Sequence, residues 1–323
     1  MHWTPRRETF RGLIETDACY HPGSVFDPIS ARIAEDIGFE LGMFAGSVAS
    51  LAVLGAPDLI LLTLSEFADQ AYRINRASNL PLLVDADHGY GNALNVRRTV
   101  EELETAGVAA LTIEDTNLPQ PFGAVGSTQV LSIDEGAGKM RAALSGRQDP
   151  AMVIAARTSA ATINGLDDAI ARGKAYQKVG VDAIFFTGIT EDHQVEAVSS
   201  ALSVPLFLGG SGTGVLGDRK FLAENGVRIS LQGHQPFMAA IQSTYETLMS
   251  LRDGMSPQDV KVKASSDFVE KVTRAGDYAR WMRDYLGGEN FSECFPTFRR
   301  KLFFKLINSD STSLGISPTG LFS

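Results

Sequence analysis

The chain has 323 residues, 44% of them hydrophobic and 21% charged, with a formal net charge of -9 and a pI near 5.1. That balance provides a sizeable core but no basic face for nucleic acid. No stretch reaches the ~18 apolar residues of a membrane span, and the polar N-terminus has no apolar run of a secretory signal. Cys19 and Cys294 lie far apart and carry no metal-ligand spacing, so a reducing, cytoplasmic setting is expected rather than a disulfide scaffold.

Taken in chain order, the sequence repeats one phrase: an amphipathic helix, a glycine, then a short apolar strand with a polar or small end. The phrase predicts strands over residues 18–21, 39–44, 80–84, 109–113, 151–155, 181–186, 204–208 and 227–231. His21 closes the first, before the turn of Pro22 and Gly23. After the second comes Ala45-Gly46-Ser47-Val48-Ala49-Ser50, whose small residues let backbone N–H groups and the Ser47 hydroxyl approach an anion. A plain strand-to-helix turn would use the same composition.

The third and fourth strands carry the strongest signal. Residues 80–84 run into Asp85-Ala86-Asp87, a helix is predicted over 94–106 with Gly107 at its end, and residues 109–113 run into Glu114-Asp115. Two adjacent parallel strands would then bring four carboxylates, Asp85, Asp87, Glu114 and Asp115, to one edge of the sheet. Side-chain alternation would put Asp85 and Asp87 on the same side. At about 5 Å and an effective dielectric of about 20, each pair repels by roughly 3 kcal/mol, a cost that a bound cation removes. Hard oxygen donors without a Cys/His cluster favour Mg2+ or Mn2+ over zinc. The competing reading is a loop rich in Asp, Gly and Asn.

Further along, Arg157 stands at the mouth of the fifth strand, able to bind a carboxylate, to neutralise an enolate oxygen, or only to pair with the nearby acids. Gly209-Gly210-Ser211-Gly212-Thr213-Gly214 follows the seventh strand and reads as a flexible loop ahead of a phosphate cradle. His234 lies just past the eighth, also at the mouth.

Eight strands alternating with helices predict an α/β fold, a (β/α)8 TIM barrel over residues 1–255, with a doubly wound sheet as the other arrangement. Residues 256–286 read as a C-terminal helical extension packing on the barrel or on a neighbouring subunit. Residues 287–323 read as a weakly ordered tail, where a basic-aromatic run from Arg299 to Lys305 gives way to Ser, Thr, Gly and Pro.

Residues 85–92, Ile113-Glu114-Asp115, Gly46-Ser47 and Arg157, in this order, resemble the isocitrate lyase and phosphoenolpyruvate mutase superfamily over residues 8–285. Within it the likeness is greatest to members that decarboxylate oxaloacetate, through residues 46–50, 88–96 and Gln232-Gly233-His234. The resemblance implies that Asp85 binds Mg2+ directly, that Asp58, Asp87 and Glu114 act through metal-bound water, and that Ser47, Arg157 and His234 hold the substrate. It implies a carboxy-lyase taking a small 2-oxo dicarboxylate such as oxaloacetate to pyruvate and CO2 through a metal-stabilised enolate, with Arg157 and His234 in the chemistry. It also implies a homo-oligomer, a dimer or tetramer; the acidic balance and the lack of a long apolar stretch lead us to expect no nucleic-acid or membrane partner. The superfamily's lyases carry a Lys-Lys-Cys-Gly-His segment, whereas residues 117–132 here hold no Cys, Lys or His. That argues against a methylisocitrate-type C–C lyase, and the missing lysine weakens a phosphonopyruvate-type C–P enzyme. A non-catalytic binding barrel is the remaining alternative.

Overall fold

The computed structural model describes residues 3–123, 126–210 and 214–287. These divide after Pro257 into two compact units. The first unit is built on eight parallel strands, β1 Gly23–Ser24, β2 Gly42–Phe44, β3 Leu82–Asp85, β4 Ala110–Glu114, β5 Val153–Thr158, β6 Ala183–Thr187, β7 Leu206–Gly209 and β8 Val227–Ser230. Each pairs with the next in sequence. Tyr20 joins the two edges: its N–H donates to Arg228 O at 2.8 Å, and Ser230 N–H donates to Tyr20 O at 3.0 Å. This first unit is a (β/α)8 barrel.

The helices of this unit are α1 Thr4–Ile14, α2 Pro28–Asp36, α3 Gly46–Ala49, α4 Leu64–Ala77, α5 Ala93–Thr105, α6 Ile133–Gly146, α7 Ala160–Ile163, α8 Leu166–Val179, α9 Asp192–Ala201, α10 Arg219–Glu224 and α11 Gln235–Arg252. Their starts follow from local chemistry. Thr63 and Glu66 form a capping box at α4, and Asn92 with Asn95 does the same at α5. None of the described helices is long and apolar enough to cross a membrane.

Strand alternation sorts the apolar residues into two cores. Met43, Ala45, Leu83, Ala110, Val153, Ala155, Ala183, Phe185, Phe207 and Ile229 fill the barrel, and Phe10 and Ile14 of α1 join them. Phe44, Leu82, Val84, Leu111, Ile154, Ile184, Phe186 and Leu208 face the helical layer. α1 is fastened by Arg7, fully buried, which donates to Asp149 Oδ2 at 2.8 Å and Val108 O at 3.0 Å.

Two boundary expectations change. The first strand is Gly23–Ser24 rather than 18–21, where Tyr20 contributes only the isolated bridge. The second unit is helical only as α12 Ser266–Thr273 and α13 Ala275–Leu286, after a single 3-10 turn at Pro257–Asp259. Residues 260–265 are not helical, and the Ser265 hydroxyl caps α12. The expected tail beyond Gly287 lies outside the described residues.

Candidate active site

Because alternate residues of each strand face inward, the last inward position of each strand falls at the C-terminal rim of the barrel. Asp85 follows Leu83, Glu114 follows Thr112, Arg157 follows Ala155, and Thr187 follows Phe185. The loops beyond the strands complete a cavity of about 670 Å3, with Ser47, Asp58, Asp85, Asp87, Glu114, Arg157 and His234 all in its wall. Every residue expected to hold metal or substrate therefore lies in one cavity.

Asp85 Oδ1 accepts from Thr112 Oγ1 at 2.9 Å, and Oδ2 pairs with the Arg157 guanidinium. Arg157 also lies 3.6 Å from Glu114 Oε2, and its guanidinium carbon sits 5.6 Å from the centre of the Phe185 ring. Arg157 thus pairs with the acids, while its buried Nε has no hydrogen-bond partner among the described residues. Burial works against its charge, but Asp85, Glu114 and Asp87 outweigh this and hold the guanidinium pKa above its usual value.

Asp87 reaches the cavity differently from the expected strand alternation. β3 ends at Asp85, and Asp87 takes a left-handed φ of 47° in a turn. Its carboxylate sits against Gly46, where an added Cβ would lie 2.4 Å from both oxygens. Asp115 does not join the cluster. It points into the helical layer, where Arg172 donates to its Oδ2 at 2.9 Å and Tyr176 donates at 2.5 Å.

Burial, followed by the charges of Asp85, Glu114 and Asp58, pushes the Asp87 carboxyl well above its ordinary range. Burial raises Glu114 and Asp58 too, with Asp85 adding to it in both cases and Arg157 opposing it. Four carboxylates and one arginine line the described part of the cavity, so the acids are short of positive charge. Their hard oxygens fit a divalent cation. Among the described residues no three acidic, histidine or cysteine side chains form a set of direct ligands. Such oxygen donors suit Mg2+, which usually keeps several waters of its own.

His234 lies at the start of α11, and its Nδ1 is 3.0 Å from Ser24 Oγ. Burial lowers its pKa, opposed by Asp85. His21 Nδ1 instead meets Ser230 O at 2.7 Å, a structural contact. Gly209 and Gly210 line the cavity, and Ser211 to Thr213 lie outside the described residues.

Several lining residues escaped the sequence reading. Phe185 and Thr187 could have been found from the alternation of β6; Leu59, Ile60, Leu118, Pro119 and Gln120 carry no local signal. The segment bearing the last three is pinned at its base by Asn117 N–H donating to Gln129 O at 2.8 Å and Leu131 N–H to Asp115 O at 2.8 Å.

A closed parallel barrel with an acidic, arginine-bearing cavity at its C-terminal rim is the architecture of a barrel enzyme. Residues 10–252 match the model of the phosphoenolpyruvate phosphomutase family, and the chain belongs to that family. It is 55% identical over 287 residues to an oxaloacetate decarboxylase of Bradyrhizobium sp. (strain ORS 278), covering 89% of this chain and 99% of that one. Among solved structures, a phosphonopyruvate hydrolase in complex with oxalate and Mg2+ superposes with a TM-score of 0.77 at 26% identity, over 87% of this chain and 99% of that one. An oxaloacetate acetylhydrolase in complex with 3,3-difluorooxalacetate gives 0.76 at 28%, over 89% and 99%.

Proposed function

We propose that this chain is a divalent-cation-dependent carboxy-lyase that converts oxaloacetate to pyruvate and CO2. The observation that carries this reading is the 55% identity to an oxaloacetate decarboxylase over 89% of the chain. In the reaction the C3–C4 bond breaks, its electron pair passes into a C2–C3 enolate, CO2 leaves, and C3 takes up a proton. A Mg2+ ion, or Mn2+, held directly by Asp85 and through water by Asp58, Asp87 and Glu114, would supply Lewis-acid charge beside the 2-oxo group. Arg157 places a permanent positive charge near the oxygen that turns negative. Ser47 and His234 orient the carboxylates, and His234 is the candidate to position the departing group or to deliver the proton. The lack of Cys, Lys and His in residues 117–132 supports decarboxylation over C–C or C–P cleavage of larger substrates.

The test follows pyruvate and CO2 from oxaloacetate with Mg2+ and with EDTA, against a protein-free blank. Pyruvate and CO2 in equal amounts, lost with EDTA, are expected. Turnover of phosphonopyruvate or methylisocitrate with none of oxaloacetate would refute the reading.

The working form is a cytoplasmic homo-oligomer in this reading. None of α11 is buried, and Tyr245 and Leu248 are 60% and 63% exposed, an apolar face that a second copy would cover. Light scattering giving the mass of a monomer would count against it.

A further inference from the structure

Ser24 sits on β1, and nothing in its own neighbourhood of sequence marks it as functional. The structure brings its hydroxyl to 3.0 Å from His234 Nδ1, across 210 positions of sequence. Both partners are held from their backbones. On either side of Ser24, Gly23 N–H donates to Leu41 O at 3.0 Å and Val25 N–H to Met43 O at 2.9 Å. His234 O accepts from Phe237 N–H at 3.1 Å at the start of α11. The two segments are clasped by Phe26 and Phe237, whose rings meet edge to face at 5.0 Å. With Nδ1 occupied, Nε2 is the ring nitrogen left for the cavity that His234 lines.

A neutral imidazole carries one N–H, and the partner of one nitrogen decides what the other can do. If Ser24 accepted from Nδ1–H, a bare lone pair would face a cavity that already holds four carboxylates and is to receive a dianion. If Ser24 donates, Nε2–H faces inward as a hydrogen-bond donor. Resting on the oxaloacetate reading of this cavity, we propose that Ser24 is a positioning residue. It donates to His234 Nδ1 and fixes the Nε2–H tautomer, so that His234 binds a substrate carboxylate as a donor. Burial lowers the pKa of the ring and so favours the neutral form on which this choice depends, while Asp85 favours the charged form.

Two readouts test it. Long-range 15N–1H spectra of the full chain labelled at histidine, with the His234 signal assigned by its loss in His234→Gln, report the tautomer without substrate. Nε2–H is expected in the wild type and in Ser24→Thr, and a mixture of tautomers in Ser24→Ala. In steady-state assays Ser24→Ala should raise KM for oxaloacetate about tenfold, the loss of roughly one oriented hydrogen bond, with kcat changed less than about threefold. Ser24→Thr should restore KM. An Nδ1–H tautomer in the wild type, or a Ser24→Ala protein with unchanged tautomer and KM, would overturn the proposal. Should the wild type fail to turn over oxaloacetate, the functional reading falls, and the spectra still decide the tautomer.

Discussion

Arg157 is the one permanent cation among the described residues lining the cavity, and it already faces Asp85 and Glu114. Arg157→Ala should lower kcat on oxaloacetate by a factor of hundreds, corresponding to about 3–4 kcal/mol of barrier, measured by pyruvate release. Gly46 acts through space it leaves free: the methyl group of Gly46→Ala would lie 2.4 Å from the Asp87 oxygens and push that carboxylate aside. The Mg2+ concentration giving half-maximal activity should then rise at least about tenfold, with the thermal midpoint near that of the wild type. Unchanged Mg2+ dependence would separate Asp87 from the ion. Asp85 and Glu114 were legible in the sequence because each ends an apolar run. Asp115 looked equivalent to Glu114, but one step along a strand reverses the side-chain direction and sends it to Arg172 and Tyr176. His234 was legible at the end of the eighth strand, but its pairing with Ser24 was beyond reach of local pattern, since only the closing of the barrel brings the two together.

At the scale of elements, α1 is joined to the barrel by a fully buried charge. Arg7 meets Asp149 and lies 3.9 Å from Glu104, whose carboxylate accepts the backbone N–H groups of Gln148 and Asp149. Arg7→Met keeps much of the side-chain volume but leaves buried carboxylates without their cation, so it should cost about 3–5 kcal/mol in urea unfolding. A loss below about 1 kcal/mol would mean that the acids find other partners or take up protons. Most strands and helices were readable from periodicity, because buried parallel strands form short apolar runs and glycines close the helices between them. β1 was not: it is two residues long, Gly23 and Ser24, with no apolar signal, whereas the neighbouring Ala18-Cys19-Tyr20-His21 looks more like a strand. The start of α12 was misjudged because polar residues near Pro257 fit a helix surface as well as a loop.

The molecule as a whole should lose stability in acid through Asp149 at the base of the barrel, while the raised carboxyls of Asp58, Asp87 and Glu114 at its rim work in the opposite direction. Burial alone would raise the Asp149 carboxyl, but hydrogen bonds from Arg7, Thr4 and the Ala151 N–H outweigh it and hold the pKa below the ordinary 3.8. A carboxyl lowered by folding adds stability that is present above the unfolded value and fades as pH falls through the folded one. Asp149→Asn should therefore flatten the decline of the thermal midpoint below about pH 4, relative to the wild type. The eight strands, taken together, serve to bring one arginine and four carboxylates to a single rim. Initial rates of pyruvate release from oxaloacetate, for the wild type, Asp85→Ala and Arg157→Ala in one Mg2+-containing assay, probe that claim most directly. The account predicts rapid release by the wild type and near-blank rates for both variants; variants as fast as the wild type, or a wild type no faster than the blank, would contradict it.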